Sequence, residues 1–133
     1  MTHEEAIAQL VEHAKQKVET ARQDVIAESK ILARLAETAE PWTASHRFAT
    51  GYQLAAVADL EVWGTLLMNA EGDWTGRHRF LLQILDRDAN DFVRHSVRCA
   101  STNVASRAVM SAVGSAALDA LELIRRLTKK VDR

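Results

Sequence analysis

The chain is short of everything that makes turns and cross-links: its 133 residues include one proline, Pro41, one cysteine, Cys99, and five glycines. So few turn-formers leave room for few loops, which favours long helices over a sheet of many short strands. A lone cysteine excludes an intramolecular disulfide, and it excludes a thiolate-rich zinc site built by one chain. No window approaches the roughly eighteen consecutive apolar residues of a membrane span, and Asp59 and Glu61 break the richest stretch. Glu4, Glu5, Glu12 and Glu19 stand where a secretory leader needs an apolar run. These absences predict a chain kept in the reducing cytoplasm.

Chemical signatures are missing too. A di-metal carboxylate bundle uses Glu-x-x-His, because that spacing sets both ligands on one helix face. Three residues before His13, His46, His78 and His95 stand Leu10, Thr43, Thr75 and Phe92. The stretch Asp86-Arg87-Asp88-Ala89-Asn90 opens like a calcium-binding loop, but Asp91 occupies the glycine position and Val97 the position of the bidentate glutamate. Glycine-rich phosphate loops, a nucleophile elbow and a dinucleotide fingerprint are absent. The expectation is a non-enzymatic protein with no cofactor and no metal.

What is present is helical periodicity. Thr2 followed by Glu5 forms a capping box, and behind it runs an apolar seam at Ile7, Val11, Ala14, Val18, Ala21, Val25, Leu32, Leu35 and Ala39, with Glu28 its one polar member. Alternating steps of four and three over some four heptads describe a coiled-coil-like seam. A second helix carries a broad apolar face that includes Phe48, Tyr52, Ala55, Ala56, Leu60, Trp63, Leu66 and Leu67, wide enough for two neighbours. The segment Glu71-Gly72-Asp73-Trp74-Thr75-Gly76 is a turn. Leu81, Ile84, Leu85, Phe92 and Cys99 mark a third helix, a cluster of cap residues at 100–103 a break, with one continuous helix as the alternative, and Met110 to Val131 a fourth.

The expected fold is all-α: one domain, an antiparallel bundle of four helices at about 3–40, 44–69, 76–99 and 103–131. At 1.5 Å per residue the first helix reaches roughly 55–60 Å and overhangs neighbours of roughly 35–40 Å. An overhang with an apolar seam needs a cover, and a second copy or a partner's helix supplies one. A homodimer or a protein partner is therefore expected, with Val11, Val18, Val25 and Leu32 on the seam as candidate contacts and Trp74, which could equally plug a bundle end, as a further candidate. Val18→Asp is expected to abolish association while leaving the fold intact.

Net charge is −1, yet residues 1–75 carry six basic and twelve acidic side chains, and residues 76–133 eleven basic and six acidic. The halves attract one another. Arg87, Arg94 and Arg98 share a helical stripe and are further partner candidates; the interspersed Asp86, Asp88 and Asp91 speak against nucleic acid. Two other function classes stand beside the interaction protein. A ligand-binding bundle, with or without catalysis, would draw on His46, Asp59, Asp91 and His95: Asp91 and His95 are one turn apart, and Asp59 falls near the apolar face of the second helix, where a carboxylate demands a partner. An amphipathic coat on a lipid surface would require the helices to open.

Overall fold

The chain enters its first helix through the reciprocal cap its sequence implies: the Thr2 amide donates to Glu5 Oε2 at 3.2 Å, and the Glu5 amide to Thr2 Oγ1 at 3.1 Å. Two otherwise orphaned amide donors are satisfied, and Glu4 and Glu5 lie at the positive end of the helix dipole. A computed structural model of the chain describes residues 1–38, 44–72, 77–98 and 104–132, apart from the side chains of His46, Val104 and Ala105. Over these it consists of α1 (His3–Thr38), α2 (Ala44–Ala70), α3 (His78–Arg98) and α4 (Val104–Val131). The all-α bundle is thus the fold, with helix bounds close to those read from periodicity. None of the described helices is long and apolar enough to cross a membrane.

Packing order differs from chain order. α1 lies along α2, α2 along α4, and α4 along α3, while α1–α4, α2–α3 and α1–α3 only graze one another. Lys15 of α1 meets Glu71 just past α2 at 3.4 Å, and Asp24 shares a cleft with Asp59, so α1 and α2 are antiparallel. Arg125 Nε donates to Asp86 Oδ2 at 3.2 Å, and Gly114 lies against Ser96, so α3 and α4 are antiparallel as well. Gly51 faces Ala108 while Asp59 and Trp63 face Ser115 and Ala116, which makes α2 and α4 parallel. Short connections correctly imply alternating directions, yet α2 turns its second apolar side to α4 rather than α3. The physical reason is surface width. α3 buries one narrow stripe, Leu81, Leu82, Leu85 and Ala89, enough for one neighbour, whereas α2 offers small residues on one face, Gly51 against Ala108 and Ala58 two turns on, that admit a second helix closely. Because α3 and α4 pack side by side, they are separate helices.

The core sits at the end of the bundle holding the chain termini. There Ile7, Leu10, Val62, Trp63, Leu66, Leu81, Leu85, Ile124 and Leu127 are buried together, and Val11 and Val18 pack against them. The opposite end is thinner. The α1 seam continues through Val25, Glu28, Leu32 and Leu35, all only half-buried, and Phe48 and Tyr52 of α2 are 60% and 65% exposed. At 36 residues against 21 for α3, α1 is longer by about 22 Å.

Candidate functional site

Because α1 and α4 both follow α2 but scarcely meet, α2 forms the floor of a trough between them. Three stripes at helical spacing run along it. On the floor they are Asp59, Ala55, Tyr52 and Phe48; on the α1 wall Lys17, Thr20, Asp24, Ala27 and Ile31; on the α4 wall Asp119, Ser115, Ala112 and Ala108. The register follows from contacts already described. Asp24, Asp59, Ser115 and Asp119 line one cleft, and Gly51 meets Ala108, so two turns beyond the cleft Ile31, Tyr52 and Ala108 stand at one level.

The trough is chemically graded. Its inner part is a cleft of about 140 Å³ lined by Lys17, Thr20, Asp24, Asp59, Ser115 and Asp119, with Trp63 beneath. Burial pushes the Asp59 carboxyl above the usual carboxylate range; Asp24 and Asp119 add to the rise, and Lys17 opposes it. An adjoining cleft of about 170 Å³ takes in His13, Lys17, Asp119, Glu122 and Arg126. Burial depresses the His13 imidazole, as do Lys17 and Arg126, while Asp119 works the other way. Both clefts fall below the roughly 300 Å³ at which small-molecule pockets usually begin. Among the described residues no three His, Cys, Asp or Glu side chains converge closely enough to hold a metal ion. The outer part of the three stripes is apolar: Phe48 and Tyr52 on the floor, Ile31, 44% exposed, on the α1 wall, and Ala108 and Ala112 on the α4 wall.

The sequence candidates scatter over the molecule. Val11 and Val18 are engaged by the core of their own chain, so an acid at Val18 strikes the fold before any association; Val25 and Leu32 are half-buried farther along α1. Trp74 lies outside the described residues, as do Trp42, Cys99 and the side chain of His46. Arg87, Arg94 and Arg98 are exposed on α3, Arg87 standing 3.7 Å from Asp88. Asp88 also accepts from Asn69 Nδ2 at 3.2 Å, and Asp86 is held by Arg125, so these acids serve helix-to-helix contacts as well as a solvated face. Asp91 and His95 are exposed on the outer side of α3 and distant in sequence and helix from the trough. Among the described residues the structure brings Asp59 beside Asp24, Asp119 and Lys17. Asp24, Asp119 and Lys17 escape sequence reasoning because only the α1–α2–α4 arrangement brings them together. Phe48 and Tyr52 were legible as apolar, but their exposure was not.

No protein-family model matches the chain, and comparisons with curated proteins and with solved structures find no match.

Proposed function

We propose that this chain is a non-enzymatic helical interaction protein, an adaptor, regulator or inhibitor, that docks a helix of another macromolecule in the trough between α1 and α4. One observation carries the reading: the α2 stripe that supplies Leu66 to the core continues through Tyr52 to Phe48, where both aromatics stand largely in solvent. A core stripe that outruns its core is an apolar surface awaiting a neighbour, and aromatic side chains are the usual anchors of such contacts. From α1 the trough takes the wall stripe that ends in Ile31, while the inner half of the α1 seam is engaged by the fold.

The test is site-resolved photo-crosslinking in the full chain, with a benzophenone side chain at position 52 and, as control, at Met68, which is 77% exposed on the opposite side of α2. One reproducible adduct at position 52, identified by mass spectrometry and absent at position 68, is the expected result. An adduct between two copies would make the protein a homo-oligomer through this surface. Equal labelling at both positions, or none at position 52, would remove the reading.

A second reading, a small-ligand site at Asp59, is favoured by the displaced acidity of that carboxyl in its cleft. The size of the cleft suits a single side chain or a very small molecule better than a substrate of ordinary size.

A further inference from the structure

The trough has a chemistry that selects its occupant. Its apolar end and its acidic end lie on the same three stripes, seven residues apart on the floor, from Tyr52 to Asp59. Along a helix axis that separation is about 10 Å, two turns. A helix laid in the trough therefore meets Phe48, Tyr52 and Ile31 with one patch of its surface and the carboxylates of Asp24, Asp59 and Asp119 with another patch two turns away. Against these three acids the cleft holds one base, Lys17, and Arg126 stands with Asp119 in the adjoining cleft, so the acids outnumber the bases along this part of the trough. The acids share a cleft without converging to metal-ligating distance, so a bare ion finds no cage among them. An ammonium or guanidinium on a long apolar stem fits better: the stem covers the face of the cleft while the charged head spreads its hydrogen bonds over separated oxygens.

We propose that the trough receives a basic amphipathic helix of a protein partner, its apolar anchors on Phe48, Tyr52 and Ile31 and a lysine or arginine two turns away among Asp24, Asp59 and Asp119. This identifies the class of partner for the function proposed above and rests on that reading. Docking brings a second cation to a cleft in which Lys17 alone opposes the influence of Asp24 and Asp119 on Asp59. The helix-in-groove mode supplies affinity through its anchors, and the acid cluster supplies selection by charge.

The experiment uses the full chain and designed amphipathic helical peptides of roughly twenty residues, each with a central leucine patch flanked two turns away on both sides by arginine, glutamine or glutamate. Flanking on both sides lets either helix direction present its charge to the cleft. Binding is read by fluorescence anisotropy. The arginine peptide is expected to bind about tenfold or more tightly than the glutamine peptide, and the glutamate peptide more weakly still. Asp59→Asn combined with Asp119→Asn should erase that preference while leaving leucine-driven binding in place, and Tyr52→Ser should weaken all three peptides. Helical melts of each variant confirm that it is folded. Binding without charge preference, or a preference that survives the two asparagines, overturns this inference alone. No binding by any peptide, together with no adduct at position 52, overturns the docking reading itself. Self-association through Tyr52 would show that the occupant is a second copy and would likewise overturn the assignment of a basic partner helix.

Discussion

His13 of α1 lies against the indole of Trp63 of α2, ring centroids 5.3 Å apart and planes inclined at 59°. Trp63 is 3% exposed, so the imidazole forms part of its lid at the place where core gives way to trough. Burial, Lys17 and Arg126 all disfavour the imidazolium there, against the opposing pull of Asp119. The folded state therefore binds a proton at His13 less readily than the unfolded chain, whose imidazole titrates near 6.5. Stability from this site is full above that value and is lost as pH falls through it toward the lower folded value. Urea unfolding at about pH 8 and about pH 5 should show that loss in the parent and a smaller one in His13→Gln. Equal losses in both would show that the imidazole is not the titrating group.

Asp59 has the opposite dependence. Its folded acidity is displaced upward from an ordinary value of 3.8, so the stabilising form is the protonated one, complete below 3.8 and lost as pH rises through the folded value. At neutral pH, Asp59→Asn should raise the melting temperature by about 2–4 °C, a modest figure because the group is partly solvated. Melting curves of parent and variant should converge in acid below the ordinary value. A variant that melts lower at neutral pH would mean that the carboxylate is held by an attractive contact stronger than its repulsions.

Two helical glycines separate propensity from space. A Cβ at Gly64 meets nothing within 4 Å, so Gly64→Ala should gain about 1 kcal/mol from helix propensity. A Cβ at Gly114 would stand 2.8 Å from Ser96 Oγ, which donates to the Val93 carbonyl at 2.7 Å. Gly114→Ala should therefore forfeit most of that gain, and adding Ser96→Ala should recover it. Denaturant titrations of the single and double variants give the coupling directly, and strict additivity would contradict the close approach of α3 to α4.

Val18 and Tyr52 both belong to apolar stripes, but only Val18 is packed against the core. An acid at Val18 should cost about 2 kcal/mol or more, whereas Tyr52→Ser should change stability by no more than about 0.5 kcal/mol. Calorimetric melts distinguish the two, and a large loss at Tyr52 would show that the trough is part of the fold rather than a free surface.

Helix number, helix limits and the cap at Thr2 were legible because each rests on local chemistry: side-chain periodicity, a few cap residues, and scarce glycine and proline. The width of the α2 apolar face likewise foretold two neighbours. Which two was not legible, since adjacency depends on how closely surfaces such as Gly51 and Ala108 approach, and nothing in the order of residues encodes that pairing locally. The site suffered the same limit. Asp59 stood out as a carboxylate on an apolar face, but Asp24 and Asp119 lie on helices far apart in sequence and acquire meaning only beside it. That α1 is the longest helix was foreseen from its seam, yet α2 runs beside its outer half, its inner seam belongs to the monomer, and the exposed aromatics lie on α2.

The parallel contact of α2 with α4 has a kinetic meaning. It is the one extensive seam between the α1–α2 and α3–α4 hairpins among the described residues. Each hairpin is built from near neighbours in the chain and forms with little loop-closure entropy, so their docking along Gly51 and Ala108 is the slower, non-local step. The same seam is the natural plane of partial opening, and hydrogen exchange that is faster for amides along it than for those between α1 and α2 would locate the opening there.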